Sequence, residues 1–106
     1  MRILLDESVP VQVRKALVGH QVLTVSELGW KGRENGELLA ASEQAGFEVF
    51  ILADKNLRYQ QNLTGRAIAL VELWTNHRPT LERHFPLIAA AVVGITPGAY
   101  RIVSNP

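Results

Sequence analysis

Ile3-Leu4-Leu5 runs directly into Asp6-Glu7, and Phe50-Ile51-Leu52-Ala53 runs directly into Asp54. Each is an apolar strand that stops at a carboxylate. In an open parallel sheet the carboxyl ends of the strands share an edge, and ligands bind in the crevice beside it. Asp6 and Asp54 are therefore expected near one another. Asn35-Gly36-Glu37 opens a predicted helix whose first turn faces the same edge, so Glu37 supplies a third acid. Mg2+ takes near-octahedral oxygen coordination, keeps several waters and is usually held by one or two carboxylates plus substrate phosphates. Such an ion polarises a phosphoryl oxygen, activates a water and steadies the leaving oxygen. The chemistry these acids point to is metal-dependent phosphodiester hydrolysis. The same residue types also serve local structure, because Asp6, Glu7 and Glu37 favour helix N-termini and Asp54 suits the start of a turn.

Lys55, Arg58 and Tyr59 follow Asp54, with Gln60, Gln61 and Asn62 beyond them. Cations neutralise phosphates and an aromatic ring stacks on a base, the combination expected for single-stranded nucleic acid. Trp30-Lys31-Gly32-Arg33 repeats that composition in a long loop predicted to face the same edge. Either cluster is also what a solvated loop looks like when its aromatic packs on the domain. His20, His77 and His84 lack the spacing of a zinc site. His77 with Arg78 follows the fourth strand and is a lesser candidate for a phosphate contact. Gly29, Gly32 and Gly36 do not follow the strand-to-helix pattern of a phosphate-binding loop.

The elements that must position these residues alternate along the chain. Residues 2–5 read as a buried first strand. Pro10 suits a first helical turn, Val9, Val13 and Leu17 form an i, i+4, i+8 stripe, and Gly19 is a left-handed stop. Residues 21–25 form a second strand, and residues 28–36 a loop. A helix over 37–45 follows, capped by Asn35 and ended by Gly46. Residues 48–53 are apolar on both faces, as a central parallel strand requires. Residues 56–63 make a short polar helix or turn, and 67–73 a fourth strand. From Thr80 onward, Leu81, Phe85, Ile88, Ala89 and Val92 recur at helical spacing. Pro86 removes a backbone donor there, which predicts a kink or two helical pieces with Pro86 in the first turn of the second. Pro97-Gly98 turns the chain into a last strand at 99–103. Short connections between alternating strands and helices imply right-handed crossovers and a three-layer α/β/α sandwich around a mainly parallel sheet of four to five strands.

With 106 residues the chain makes one domain, spanning 1–106, and the near-balanced charge of +1 gives no global basic excess to steer it to nucleic acid. Any such affinity must be local. The absence of cysteine removes disulfides and thiolate metal sites, and it fits a reducing, cytoplasmic setting. The start Met-Arg-Ile-Leu-Leu-Asp is too short and acidic for a signal peptide, and no apolar stretch is long enough for a membrane span.

Leu5-Asp6-Glu7-Ser8-Val9-Pro10, Gly36-Glu37-Leu38-Leu39-Ala40 and Leu52-Ala53-Asp54-Lys55-Asn56-Leu57 resemble the short bacterial PIN-like proteins. The resemblance covers nearly the whole chain. It implies a PIN-like fold and a ribonuclease that binds Mg2+ or Mn2+ through Asp6, Glu37 and Asp54, with Glu7 beside them. It further implies the toxin half of a toxin-antitoxin pair, so the partners are RNA and a cognate antitoxin protein, with a homodimer also allowed. Ser8 stands where that pattern usually has Asn, and Asn35 where an acid is common. Trp74-Thr75-Asn76-His77 offers only neutral ligands where many PIN nucleases carry a fourth acid. The acids therefore suit one metal more readily than two.

Two other readings use the same residues. One is a PIN-like binding module without catalysis, since fold does not settle function. The other is a receiver-like phosphoacceptor domain with Asp6-Glu7 as the acid pair, Asp54 as the acceptor and Thr75 after the fourth strand. Against the second, Tyr100-Arg101-Ile102-Val103-Ser104-Asn105-Pro106 offers neither the lysine nor the fifth helix of a receiver.

Overall fold

Ile3, Leu4 and Leu5 are buried, as are all residues of Val49–Leu52 and Ala69–Leu73. Strands that are apolar on both faces need a strand on each side and helices above and below. The computed structural model, which describes residues 1–53 and 66–106, has that arrangement. Strands β1 (Arg2–Leu5), β2 (Gln21–Thr24), β3 (Val49–Leu52), β4 (Ala69–Leu73) and β5 (Tyr100–Val103) form one sheet. Its order is β2-β1-β3-β4-β5 and every neighbouring pair is parallel. This is the flavodoxin-like order, in which the direction of winding switches between β1 and β3.

A 3-10 helix (Val11–Ala16) follows β1, α1 (Asn35–Gln44) precedes β3, and α2 (Arg78–Arg83) and α3 (Phe85–Val92) lie between β4 and β5. Alternate residues of the strands feed two separate clusters, as the period-2 geometry of a strand dictates. Ile3, Leu5, Ile51, Val71 and Leu73 pack with Val13 and Leu17 of the first connection and with Leu81, Ile88 and Val92 of α2 and α3. Leu4, Phe50, Leu52 and Leu70 pack with Leu38 and Leu39 of α1. Helices therefore cover both faces of the sheet. Among the described residues no helix is long and apolar enough to cross a membrane.

The uniform right-handed winding expected of such a chain does not hold. The step from β1 to β2 and the step from β4 to β5 run in opposite directions along the sheet, yet both pass over the same face, where α3 packs directly on the 3-10 helix. Two parallel crossovers on one face in opposite directions have opposite hands. The β2-to-β3 step passes over the other face and shares the hand of the first. The rule of hand rests on one helix packing straight back onto its strand. Here the β4-to-β5 connection is two helices joined at His84. The 3-10 helix is only six residues long, and Leu81, Ile88 and Val92 of α2 and α3 share its cluster with Ile51, Val71 and Leu73 of β3 and β4.

Local signals are mostly obeyed. Pro86 lies in the first turn of α3, where its missing N–H costs nothing, and the helical stretch divides in two as its sequence requires. The first piece begins earlier than Thr80, at Arg78, with Pro79 in its own first turn. Helix α1 starts at Asn35, so the cap position falls to Glu34 instead, which makes no side-chain capping bond. Gly46 (φ +83°) ends it. Arg101 of β5 donates to the carbonyls of Ala91 and Val93, satisfying the end of α3 and tying it to the sheet.

Candidate functional site

The carboxyl ends of β1 and β3 are locked together by a short polar chain. Pairing of the two strands continues through Leu5 and Ile51 to the Asp6 N–H, which donates to the Ile51 carbonyl at 2.9 Å. There β1 ends because Asp6 turns the chain: its Oδ2 accepts the Ser8 hydroxyl at 2.6 Å and the Ser8 N–H at 3.3 Å. The Ser8 hydroxyl in turn accepts the Ala53 N–H at 3.1 Å, from the residue just past β3. Asp6 and Ser8 are half-buried. A carboxylate is thus held in a defined orientation at the switch between β1 and β3, where an open parallel sheet binds its ligands.

Glu7 is exposed beside it. Glu37 is in the first turn of α1. The other end of that helix lies at the amino edge, where Arg2 of β1 donates to the Ala45 carbonyl. A ten-residue helix is about 15 Å long, so its first turn and Glu37 lie toward the carboxyl edge. Among the described residues, however, no three His, Asp or Glu side chains are grouped to hold a metal ion, so Asp6, Glu7 and Glu37 do not form a cage by themselves. Asp54, Lys55, Arg58 and Tyr59 lie outside the described residues. The oxygen donors suit Mg2+ or Mn2+, which need one or two carboxylates and take their remaining ligands from water and phosphate.

Lys31 and Arg33 are exposed, and Trp30, between them and β2, is built into the α1-side cluster. Its ring meets Phe47 edge-on at 6.4 Å and carries the Arg33 guanidinium at 5.2 Å. The aromatic of this loop therefore packs on the domain, while the two cations stay in solvent. After β4, the groups around His77 and Arg78 pair with one another: the His77 N–H donates to Thr75 Oγ1, its ring nitrogen Nδ1 pairs with Thr80 Oγ1, and Arg78 pairs with Glu82.

Glu72 carries a signal that lies outside every motif above. It interrupts an otherwise apolar strand at an inward position and is 3 % exposed. It lies level with Leu52 of β3, as Asp6 does on the other side. With strands about 4.8 Å apart, the two acidic positions are roughly 10 Å from each other. A cavity of about 230 Å3 opens at the amino edge instead, among Met1, Phe47, Glu48, Ala67, Ile95 and Pro97. That is the end of the sheet away from the acids.

Compared with protein-family models, with curated proteins and with solved structures, the chain matches none.

Proposed function

We propose that this chain is a PIN-like, metal-dependent ribonuclease, the toxin of a toxin-antitoxin pair working in the cytoplasm. The observation that carries the reading is Asp6 at the β1/β3 switch, held by a serine that also binds the end of β3. Asp54 is the next residue in the chain after Ala53. Asp6, Glu37 and Asp54, with Glu7 as a neighbour, would hold Mg2+ or Mn2+. When bound, the ion supplies an activated water and a polarised phosphoryl oxygen. The chain's own contribution is orientation and charge. Asp6 presents one aligned carboxylate, and Lys31, Arg33, Lys55 and Arg58 offset the repulsion between RNA phosphates and the acids. Tyr59 offers a ring on which a base can stack. The protein partner in this reading is an antitoxin that masks the edge, with self-association of the toxin as a further arrangement.

The sheet order favours a second reading, a phosphoacceptor domain with Asp54 as the acceptor, because flavodoxin-like order is also that of receivers. Ser104, and not a lysine, directly follows β5, which leaves an acyl phosphate at Asp54 without its usual cation. A PIN-like module that binds RNA without cutting it is the remaining alternative.

The test is cleavage of a mixed single-stranded RNA pool by purified, antitoxin-free protein in Mg2+ or Mn2+. Wild type should cut, and Asp6→Asn and Asp54→Asn should lose most of the rate while melting as wild type does. A wild type that binds RNA but leaves it intact would support the binding module. Covalent labelling by acetyl phosphate at Asp54 would support the phosphoacceptor.

A further inference from the structure

We infer that β5 is an interface between two copies of this chain, which pair edge to edge in antiparallel sense about Ile102; the inference stands apart from the ribonuclease reading. The Leu70 N–H donates to the Ala99 carbonyl at 2.8 Å, and Leu70 and Glu72 of β4 stand level with Tyr100 and Ile102. In a parallel ladder that arrangement turns the backbone of Ala99, Arg101 and Val103 toward β4, and the N–H and carbonyl of Ile102 away from it. Because β5 is the last strand of the sheet, those two groups face no further strand. The Ile102 side chain is itself 49 % exposed. One residue thus carries an outward donor, an outward acceptor and a half-exposed β-branched side chain.

The opposite edge is closed. The Gln21 and Val25 N–H groups donate inward to Met1 and Leu5, which turns Thr24 of β2 outward. Glu27 Oε1 accepts the Thr24 N–H at 3.0 Å, and the Thr24 carbonyl accepts the Leu28 N–H at 3.3 Å. Sheets guard their edges in this way, or with outward charges, proline or a bulge. Strand β5 contains no proline, and its single charged residue, Arg101, is folded back onto the Ala91 and Val93 carbonyls.

A second copy fits this edge because the edge is complementary to itself. In an antiparallel pair, opposed residues that both point across exchange two hydrogen bonds. With Ile102 opposite Ile102 across a twofold axis, each copy gives one N–H and receives one. Arg101 then stands opposite Val103, and Tyr100 opposite Ser104. No like charges meet. Pairing Tyr100 with Ile102 instead sets Arg101 against Arg101, which repulsion disfavours. The joined sheet has five strands from each copy, and β3 and β4 separate Asp6 from the junction. The antiparallel junction sends the two carboxyl edges to opposite ends, so both stay open.

The chain has no cysteine, so Ile102→Cys introduces a single thiol. Opposed Cα atoms about 5.5 Å apart lie within reach of a disulfide. Mild oxidation should convert Ile102→Cys to a covalent dimer and leave Val18→Cys, at a site 87 % exposed, monomeric. Sedimentation of the wild type from micromolar to millimolar concentration should show a monomer–dimer equilibrium. Ile102→Pro removes an N–H that the β4 ladder does not use. Both exchanged bonds are lost with it, so dimerisation should weaken at least about tenfold. If Ile102→Pro does not fold, Ile102→Lys takes its place by setting like charges across the axis. A wild type that stays monomeric through the millimolar range overturns the inference. So does a dimer that dissociates on Leu87→Glu in α3 but not on either Ile102 variant, or a thiol at Ile102 that cross-links no faster than one at Val18.

Discussion

The Tyr100 hydroxyl donates a 2.6 Å hydrogen bond to the buried carboxylate of Glu72, joining β5 to β4 within the layer that α1 covers. A buried carboxylate is costly unless its oxygens are bonded. Tyr100→Phe keeps the ring and removes this donor, so it is expected to destabilise the fold by about 1–3 kcal/mol. Glu72→Gln retains an oxygen that can accept the same bond and should cost less. Urea unfolding of the two variants checks the order. Equal losses would mean that the glutamine oxygen does not replace the carboxylate as the acceptor of this bond.

Gly98 leads into β5 with φ +78°, and a Cβ there would stand 2.9 Å from the Arg66 carbonyl oxygen. Gly19 has φ +89° and open space around it. Alanine at Gly19 meets only the cost of left-handed backbone, about 1–2 kcal/mol. Alanine at Gly98 adds a clash with backbone that cannot swing aside, so Gly98→Ala should destabilise more than Gly19→Ala. The difference in denaturation midpoints reads this directly.

Glu27 is a side chain whose acidity the fold visibly changes. Slight burial works to raise its pKa, but the Thr24 N–H, the Thr24 hydroxyl and the Arg14 guanidinium together bring it below the ordinary glutamate value of 4.5. A depressed folded-state pKa contributes stability that is present above the unfolded value and disappears as the pH falls through the folded one. Glu27→Gln should therefore leave a smaller loss of stability on acidification below about pH 4.5. Thermal melts of both proteins from neutral pH down to about pH 3 test it, and parallel curves would contradict it. The pair is largely exposed, so added salt should shrink the difference.

How much of the fold is legible in the sequence depends on the range of the signal. Leu5-Asp6 and Leu52-Ala53 announce strand ends because apolar runs and carboxylates are local signals, and all five strands stand within two residues of their expected bounds. Pro86 marks the break between helices for the same reason. The Ser8 hydroxyl is invisible as a link because its second partner, Ala53, is 45 residues away. Glu72 is legible as an oddity in an apolar strand, but its partner Tyr100 is 28 residues on and emerges only from the β4–β5 register. The opposite hand of the last crossover is beyond reach altogether. It follows from which face two helices choose, and neither helix carries that choice in its own spacing.

In the proposed reading Lys31 and Arg33 would meet RNA through their charge, with Trp30 packed against the α1-side cluster. Replacing both with Ala should weaken binding of single-stranded RNA and flatten its salt dependence, by about 0.7 in the log–log slope for each phosphate no longer neutralised. Arg33→Ala also removes a cation from the Trp30 ring, so Arg33→Lys separates charge from stacking. Affinities measured over a range of salt concentrations decide it. An unchanged slope would take this loop out of the substrate path, leaving Lys55 and Arg58 as the cations to test.

Asp6 closes a turn and, in the proposed reading, would also hold a metal, two roles that substitutions can separate. As a turn residue it accepts two hydrogen bonds from Ser8, and asparagine accepts both equally well through its own side-chain oxygen. As the proposed metal ligand it would supply a negative charge, which asparagine lacks. Asp6→Asn is therefore expected to unfold within about 0.5 kcal/mol of wild type, whereas Asp6→Ala, which leaves the Ser8 donors without their acceptor, should lose about 1–2 kcal/mol. Both should lose Mn2+ binding in calorimetry. A variant with intact stability and no metal affinity marks a residue whose charge serves a ligand, since nothing in the fold needs it. If Asp6→Asn instead binds Mn2+ as wild type does, the carboxylate is only the end of a strand, and the acids of this edge hold no cation through Asp6.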